Sequence, residues 1–192
     1  MGFDPTYLIE APWLVFLLYW LAASFRVKET RRREPAGEKW ARILVMAVAF
    51  VLLDGADLSF GVLNRRFVPQ KSWIFFVGAV LTNAGVAFAI WARYHIGQYW
   101  SSDVALRAGH ELIRSGPYAR IRHPIYSGML LAVFGTAVAI GRYRGLVAFG
   151  IVLLGFTWKS RKEEALLAEE FGAAFEEHRR HTGFFLPRFS RP

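Results

Sequence analysis

The chain has 192 residues, which corresponds to one domain, and 54% of them are hydrophobic and 16% aromatic. Because the apolar residues fall in long blocks, this composition excludes an ordinary water-soluble domain and indicates a membrane protein. The charged residues lie between the blocks, and their formal net charge of +9 favours anionic lipid headgroups over nucleic acid as the partner. The lack of cysteine excludes a disulfide framework and a catalytic thiol.

Five apolar segments predict an all-α, multi-pass bundle of about five transmembrane helices, since a bilayer core requires about 20 residues. The predicted spans are residues 7–25, 43–63, 73–91, 124–140 and 146–158. No basic region precedes the first of them, so we interpret it as a retained span and not as a cleaved signal. We expect one integral-membrane domain over residues 1–192, with N-terminal spans in 1–91 and a catalytic part in 92–192.

Polar residues inside the spans carry separate predictions. Asp54 and Asp57 lie three apart in the second span, where carboxylates are costly. They could line a cavity, or they could mark a span that ends early near Gly55. Asn83 in the third span predicts a hydrogen bond between helices. The fourth and fifth spans are joined by a tight turn and predict an antiparallel hairpin.

The distribution of Lys and Arg predicts the orientation. Seven Lys or Arg residues follow the first span, and five lie in the connector, which is residues 92–123. Seven lie in the C-terminal segment, which is residues 159–192, and five lie on the other side of the membrane. The positive-inside rule places the connector and the C-terminal segment in the cytosol. These two segments can therefore form one site facing the cytosol, in a prokaryotic inner membrane or a eukaryotic endoplasmic reticulum membrane.

The C-terminal segment predicts an amphipathic helix after residue 158, because Leu167, Phe171 and Phe175 recur four apart. Residues 182–189 are too apolar for a free tail and should pack against another part of the protein.

The connector ends in a segment where polar chemistry meets the membrane. Pro124 favours an extended His123 and is suited to the first position of a helix, so we expect a helix to begin there. Its free N–H groups, together with Arg122, would suit an anionic group. The mixture of Arg, His, Tyr and Glu in the two polar segments suits a ligand with an aromatic ring, a carboxylate and an ammonium group. S-adenosylmethionine has all three, and methyl transfer depends mainly on alignment.

Three ordered motifs over residues 91–188 resemble the isoprenylcysteine carboxyl methyltransferase family. They are His95-x-Gly97-x-x-Trp100-Ser101, then Gly116-Pro117-Tyr118 with Arg122-His123-Pro124-Ile125-Tyr126-Ser127-Gly128, then Glu163-Glu164-x-Leu166 with Phe171-Gly172. Phospholipid methyltransferases and the C-terminal half of sterol reductases resemble the pattern more loosely.

The resemblance implies an integral-membrane methyltransferase that uses S-adenosylmethionine, releases S-adenosylhomocysteine and receives a lipophilic or prenylated acceptor through a tunnel open to lipid. The cofactor-binding residues it implies are His95, Trp100, Ser101, Tyr118, Arg122, His123, Pro124, Tyr126, Glu163 and Glu164. The catalytic residues it implies are Arg122, Lys159, Arg161 and Glu164.

The acceptor-side cation is a departure from the family pattern. Family members usually have an Arg shortly before the acidic pair, whereas this chain has Lys159 at the aligned position and Arg161 two residues later. Either could steer an acceptor carboxylate, and Glu164 would accept a hydrogen bond from the cofactor's amine. The alternative for Glu163 and Glu164 is the ordinary acidic bias of a helix's first turn.

Other functions stay open at this point. A phospholipid or other small-lipid N- or O-methyltransferase would need an amine acceptor to lose a proton, for which His123 could serve as base. A membrane reductase of the sterol-reductase type would need a nicotinamide site, and the chain has no Gly-x-Gly-x-x-Gly fingerprint. A non-enzymatic membrane protein would not need such polar segments. No metal site is expected, because His110, His178 and His181 lack supporting ligands at convincing spacing.

Overall fold

A computed structural model describes residues 4–24, 36–55, 61–97 and 112–189. Over these ranges the protein is all-helical, as predicted, and the backbone pairings outside helices are two isolated bridges. The six α-helices are α1 Tyr7–Ser24, α2 Ala36–Asp54, α3 Ser72–Ile96, α4 Pro124–Ile140, α5 Tyr143–Phe171 and α6 Ala173–His181.

Length and apolar composition would let two of the described helices, α1 and α3, cross a membrane. Residues 43–54 within α2 and the whole of α4 are shorter apolar helices. The count of about five spans therefore stays a prediction.

Three predicted boundaries differ from the structure. α2 begins seven residues before the predicted span and ends at Asp54, so the early end near Gly55 is the alternative that holds. Asp54 is exposed at this helix end, and Asp57 lies outside the described residues. α3 continues one turn beyond the predicted span and ends at Gly97, which has a left-handed φ of 58°.

The largest difference from the predicted elements is in α5, which runs for 29 residues through both the predicted fifth span and the first half of the predicted amphipathic helix. Lys, Glu, Leu and Ala after residue 158 are all good helix formers, so the change from apolar to charged residues does not end the helix. Gly172, with a φ of 48°, separates α5 from α6. The spacing of Leu167, Phe171 and Phe175 is thus interrupted by a helix end.

α3 and α4 form the closest helix pair, in antiparallel orientation. A Cβ at Gly128 would lie 2.6 Å from the Ala89 backbone N and 2.7 Å from the Gly85 carbonyl oxygen. Gly78 and Gly135 make a second contact of the same kind one heptad along each helix. Small residues therefore bring the two backbones together, which is how helices gain dispersion energy in a membrane, where water does not drive their association.

Hydrogen bonds attach α1 to this pair and α2 to α5. The indole N–H of Trp13 donates to the Thr136 hydroxyl at 3.0 Å, and the Thr136 hydroxyl lies 3.2 Å from that of Thr82. Asn83 donates to the Leu8 carbonyl at 2.9 Å, which confirms its predicted role between helices. Arg144 at the start of α5 donates to the Leu52 carbonyl near the end of α2.

α4 and α5 form the predicted antiparallel hairpin, joined through Gly141, whose φ of 67° is left-handed. Gly145 packs on Ala137 near the turn, and the rings of Tyr126 and Phe156 stack at 4.7 Å near the other end. This register places the N-terminal end of α4 beside the charged half of α5. The candidate site lies there.

Candidate functional site

The site begins at Arg122 and His123, directly before α4. Pro124 is the first residue of α4, as predicted, and His123 caps the helix with a non-helical φ of −122° and ψ of 58°. The backbone N–H groups of Arg122 and His123 donate to the carbonyls of Gly183 and Phe184, at 2.9 and 3.3 Å. The residues before α4 are therefore held by the C-terminal segment.

Glu164 joins these two residues to α5. Its Oε1 accepts hydrogen bonds from Arg122 Nε at 2.6 Å and from His123 Nε2 at 3.2 Å. Burial alone would raise the pKa of Glu164, but the hydrogen bonds and charges of His123 and Arg122 outweigh burial and lower this pKa below its ordinary value. Glu164 is thus a carboxylate at neutral pH, and both contacts use the same oxygen, which leaves Oε2 for a ligand.

Glu163 makes a second carboxylate contact with α4. The Tyr126 hydroxyl donates to Glu163 Oε1 at 2.8 Å, and His123 Nδ1 lies 3.6 Å from Glu163 Oε2. Lys159 Nζ lies 3.7 Å from Oε1 and 5.5 Å from the centre of the Tyr126 ring. The two neighbouring carboxylates therefore contact different sets of groups around His123.

Lys159 and Arg161 occupy different environments on α5. Lys159 is only 6% exposed and faces Tyr126 and Glu163. Arg161 is exposed. The helical period separates them, because residues two apart point about 200° away from each other.

Ser160 is a residue that the sequence interpretation missed. It is fully buried at 0% exposure, and its Oγ has no hydrogen-bond partner among the residues that the structure describes. It lies one helical turn before Glu163 and Glu164, on the same face of α5. The signal in the sequence was this three- and four-residue spacing from the acidic pair, but a serine in an apolar-to-charged transition does not reveal its burial.

His95, at the end of α3, contacts the connector. Its Nε2 lies 2.9 Å from the Ser115 hydroxyl, and its ring stacks on Tyr118 at 6.3 Å. Gly116 has a φ of 56°, and a Cβ there would come within 2.6 to 2.8 Å of the His95 ring. Burial, followed by the charge of Glu163, raises the pKa of Tyr118, so its hydroxyl stays protonated and donates to the Ala92 carbonyl at 3.4 Å.

Trp100 and Ser101 lie outside the described residues. Of the predicted site residues, the structure brings Arg122, His123, Tyr126, Lys159, Glu163 and Glu164 together, with Pro124 beginning α4 beside them. His95 and Tyr118 form a second contact pair. Arg161 is the described residue that does not join either group.

Residues 182–189, whose apolar composition predicted packing against another part of the protein, cover the site. The rings of Phe184 and Phe185 approach the His123 ring, with centroids at 5.1 and 6.2 Å. The Ser127 hydroxyl donates to the Phe185 carbonyl at 2.6 Å. Two aromatic rings thus shield the imidazole from water, and the His123 side chain is only 6% exposed.

His178 on α6 is a further buried titratable group behind this segment. Burial first, and then the charges of Arg114 and Arg122, lower the pKa of His178 to about 4. It is therefore neutral at physiological pH. Across the described parts of the chain, no group of three or more His, Asp or Glu side chains is placed to hold a metal ion.

Comparisons with known proteins agree on one family. The family model described as phospholipid methyltransferase matches residues 73–174, a little over half of the chain. This region contains α3, α4, α5 and every described site residue. It excludes α1, α2 and most of the C-terminal segment.

Individual relatives extend the similarity towards the N-terminus. Protein-S-isoprenylcysteine O-methyltransferase of Schizosaccharomyces pombe is 27% identical over 77% of this chain, which spans 66% of that protein, just under two thirds. A probable protein-S-isoprenylcysteine O-methyltransferase of rice, Oryza sativa subsp. indica, is 31% identical over 74% of this chain and 75% of its own length. The Bacillus subtilis protein YpbQ, whose name states no activity, is 26% identical over 75% of this chain and 83% of its own length.

Proposed function

The chain belongs to the phospholipid methyltransferase family, and on that premise we propose that it is an integral-membrane methyltransferase. It moves the methyl group of S-adenosylmethionine to a lipophilic acceptor, the carboxylate of a prenylated cysteine or a similar amphiphile. The observation that carries the proposal is the cluster of Arg122, His123 and Glu164 at the point where the apolar helix α4 begins.

The described residues fit the methyl donor. The Oε2 atom of Glu164 and the Ser160 hydroxyl, which has no partner in the described parts of the chain, are acceptors suited to the donor's ammonium group. The aromatic rings around His123 and Tyr118 suit its adenine. Bound there, S-adenosylmethionine supplies an electrophilic methyl group on a sulfonium.

Residues of the chain position the partners of this group. Arg122 and the start of α4 balance negative charge in the site, while Glu164 is fixed by its two hydrogen bonds. Phe184 and Phe185 exclude water, which strengthens these electrostatic interactions. The connector around His95 and Tyr118 completes the donor side, and the predicted contributions of Trp100 and Ser101 belong to the same side.

Lys159 is the acceptor-side cation in this proposal. It is buried beside Tyr126 and Glu163, whereas Arg161 is exposed. An acceptor carboxylate is already ionised at neutral pH, so Lys159 needs only to orient it and no general base is required. A cation held in a buried site also interacts more strongly with the acceptor than one in water.

The proposal includes the membrane arrangement. The protein is one domain of residues 1–192 with about five spans, in which α2, α4 and the first half of α5 cross the membrane with α1 and α3. The charged half of α5, α6 and residues 182–189 lie on the cytosolic side with the connector. The excess of Lys and Arg in these segments supports this orientation.

Calorimetric titration of the detergent-purified protein with S-adenosylhomocysteine tests the donor site. We expect saturable binding, weakened by Glu164→Ala by about tenfold or more, the value of a charge-assisted hydrogen bond. Glu170→Ala removes an exposed carboxylate from the same helix and should bind like the wild type. A folded wild-type protein that does not bind would refute the methyltransferase proposal.

The acceptor is identified by methyl transfer from labelled S-adenosylmethionine. A prenylcysteine analogue with a free carboxylate should be methylated, and its carboxamide should not. Phosphatidylethanolamine is the competing acceptor. Transfer to phosphatidylethanolamine with no transfer to the prenylcysteine would make this protein a lipid N-methyltransferase.

A further inference from the structure

A cleft of about 600 Å³ lies between α6 and residues 182–188, next to Arg122 of the candidate site. Four arginines and one glutamate line it, and these are Arg122, Arg179, Arg180, Arg188 and Glu176. The uncharged lining residues are Thr182, Gly183 and Phe184. The lining therefore carries a clear excess of positive charge, which suits an anion.

The arginines differ in the hydrogen bonds and ion pairs that they already make within the protein. Arg122 is bound to Glu164 and to the Thr182 carbonyl. Arg179 pairs with Glu176 at 2.7 Å, although both side chains are about half exposed. Arg188 is exposed and has no ion-pair partner among the described residues, so its guanidinium is available to a ligand. Arg180 pairs with Glu177 at 3.8 Å, although both side chains are more than half exposed.

The depth of the cleft follows from the backbone. The N–H groups of Gly183 and Arg188 both donate to the Arg120 carbonyl, at 3.0 and 3.1 Å. Arg120 lies four residues before Pro124, where the apolar helix α4 begins. The cleft therefore lies at the level where the proposed membrane core ends and lipid headgroups begin.

Apolar side chains project from the same segment. Leu186 is 78% exposed and Phe189 is 72% exposed. The Arg120 guanidinium lies 5.0 Å from the centre of the Phe189 ring, so the ring is held beside a cation. Exposed Leu and Phe next to arginines are typical of a surface that inserts shallowly into the headgroup and acyl boundary of a membrane.

We propose that the cleft binds the phosphate of an anionic phospholipid headgroup, while Leu186 and Phe189 contact the acyl chains of the same leaflet. Arg179 and Arg188 bind the phosphate, since guanidinium groups form paired hydrogen bonds with phosphate oxygens. The lipid thereby fastens the C-terminal segment that covers His123. The cleft shares Arg122 with the candidate site, but Arg179 and Arg188 have no role in the proposed methyl transfer.

The test titrates the purified full chain in detergent with dioleoylphosphatidylglycerol and measures thermal stability and bound lipid by native mass spectrometry. Dioleoylphosphatidylcholine is the neutral lipid with the same chains. Arg179→Ala/Arg188→Ala removes two charges from the cleft, and Arg65→Ala/Lys71→Ala removes two exposed charges elsewhere. Each variant is first compared with the wild type in the absence of lipid.

We expect saturable stabilisation of the wild type by the anionic lipid and not by the neutral one. The cleft variant should need at least about tenfold more anionic lipid for the same stabilisation, because each arginine near an anionic surface contributes appreciably to binding. The control variant should behave like the wild type. Equal weakening of both variants would reduce the effect to general charge attraction and overturn the proposal.

A second variant and a soluble phosphate complete the test. Leu186→Asn/Phe189→Asn changes exposed side chains only and should also weaken lipid binding, so the proposal is tested even if the arginine variant is unstable. If glycerol 3-phosphate stabilises the protein at the same concentrations as the lipid, the cleft is a site for soluble phosphates and the lipid proposal is wrong. Because no methyl donor is used, this outcome is independent of the proposed enzyme activity.

Discussion

Two regions of α4 interact with their neighbours through opposite physical means. Along its middle, Gly128 and Gly135 meet Gly85 and Gly78 of α3, and there is no room for a side chain. At its N-terminal end, Arg122, His123 and Tyr126 meet α5 through carboxylates and aromatic rings. The first contact is specified by volume and the second by charge, so the two should respond differently to mutation.

Gly128→Val tests the steric contact and should have the largest effect. A Cβ at Gly128 would lie 2.6 Å from a backbone atom of Ala89, which cannot move without displacing α3. We expect a loss of at least about 3 kcal/mol, at the upper end of overpacking costs, with most protein lost as aggregate. Gly150→Ala is the control, since its Cβ would meet nothing within 4 Å. Similar monodisperse yields and melting temperatures for the two variants would contradict the close contact.

Lys159→Ala tests the polar end without this steric change. Turnover should fall about a hundredfold, the scale of losing one electrostatic group from an active site, while affinity for S-adenosylhomocysteine changes little. Lys159→Arg should keep most activity because it keeps the charge. Arg161→Ala should have almost no effect, since Arg161 is exposed. Loss of turnover in Arg161→Ala with normal turnover in Lys159→Ala would exchange their proposed roles.

Ser160→Ala should separate ligand binding from stability. Its buried hydroxyl makes no hydrogen bond to the described residues, so removing it should leave the melting temperature of the ligand-free protein unchanged or higher. Affinity for S-adenosylhomocysteine should fall about tenfold, the value of a hydrogen bond to a charged group. A variant that melts lower and binds normally would show that Ser160 serves packing alone.

Acid should weaken the polar end and leave the glycine contact unaffected. The pKa of His178 is lowered to about 4 by burial, so the unfolded chain takes up a proton between pH 6.5 and 4 that the folded protein does not, and stability falls over this range. The lowered pKa of Glu164 adds a further loss below about pH 4.5. Thermal melts of His178→Gln should lose the first part of this dependence. An unchanged profile would mean that other groups titrate there.

The sequence predicted the parts of the fold that depend on local rules. Pro124 begins α4 because proline restricts the residue before it and suits a helix start, and this needs no tertiary information. The tight turn at Gly141 likewise predicted the hairpin of α4 and α5. Charge bias predicted that Arg122 and Glu164 lie on the same side of the membrane, but it did not predict their direct contact.

Features that depend on tertiary structure were missed. The continuation of α5 from Lys159 to Leu166 did have a local signal, an unbroken run of good helix formers, but the change from apolar to charged residues was interpreted as the end of the helix. The apolar residues after Gly55 extended the second predicted span, whereas α2 ends at Asp54. The burial of Ser160 and the attachment of residues 183–188 to Arg120 depend on contacts between segments distant in sequence.

The attachment of Gly183 to Arg120 and Arg122 also has a consequence for biosynthesis. In the proposed membrane arrangement, α4 and the first half of α5 can enter the lipid during translation while the segment around residue 183 is still inside the ribosome. Until that segment emerges, the backbone N–H groups of Arg122 and His123 lack their carbonyl partners, and Phe184 cannot shield the imidazole. Methyl-donor binding should therefore be a property that a nascent chain acquires only after its membrane helices are in place.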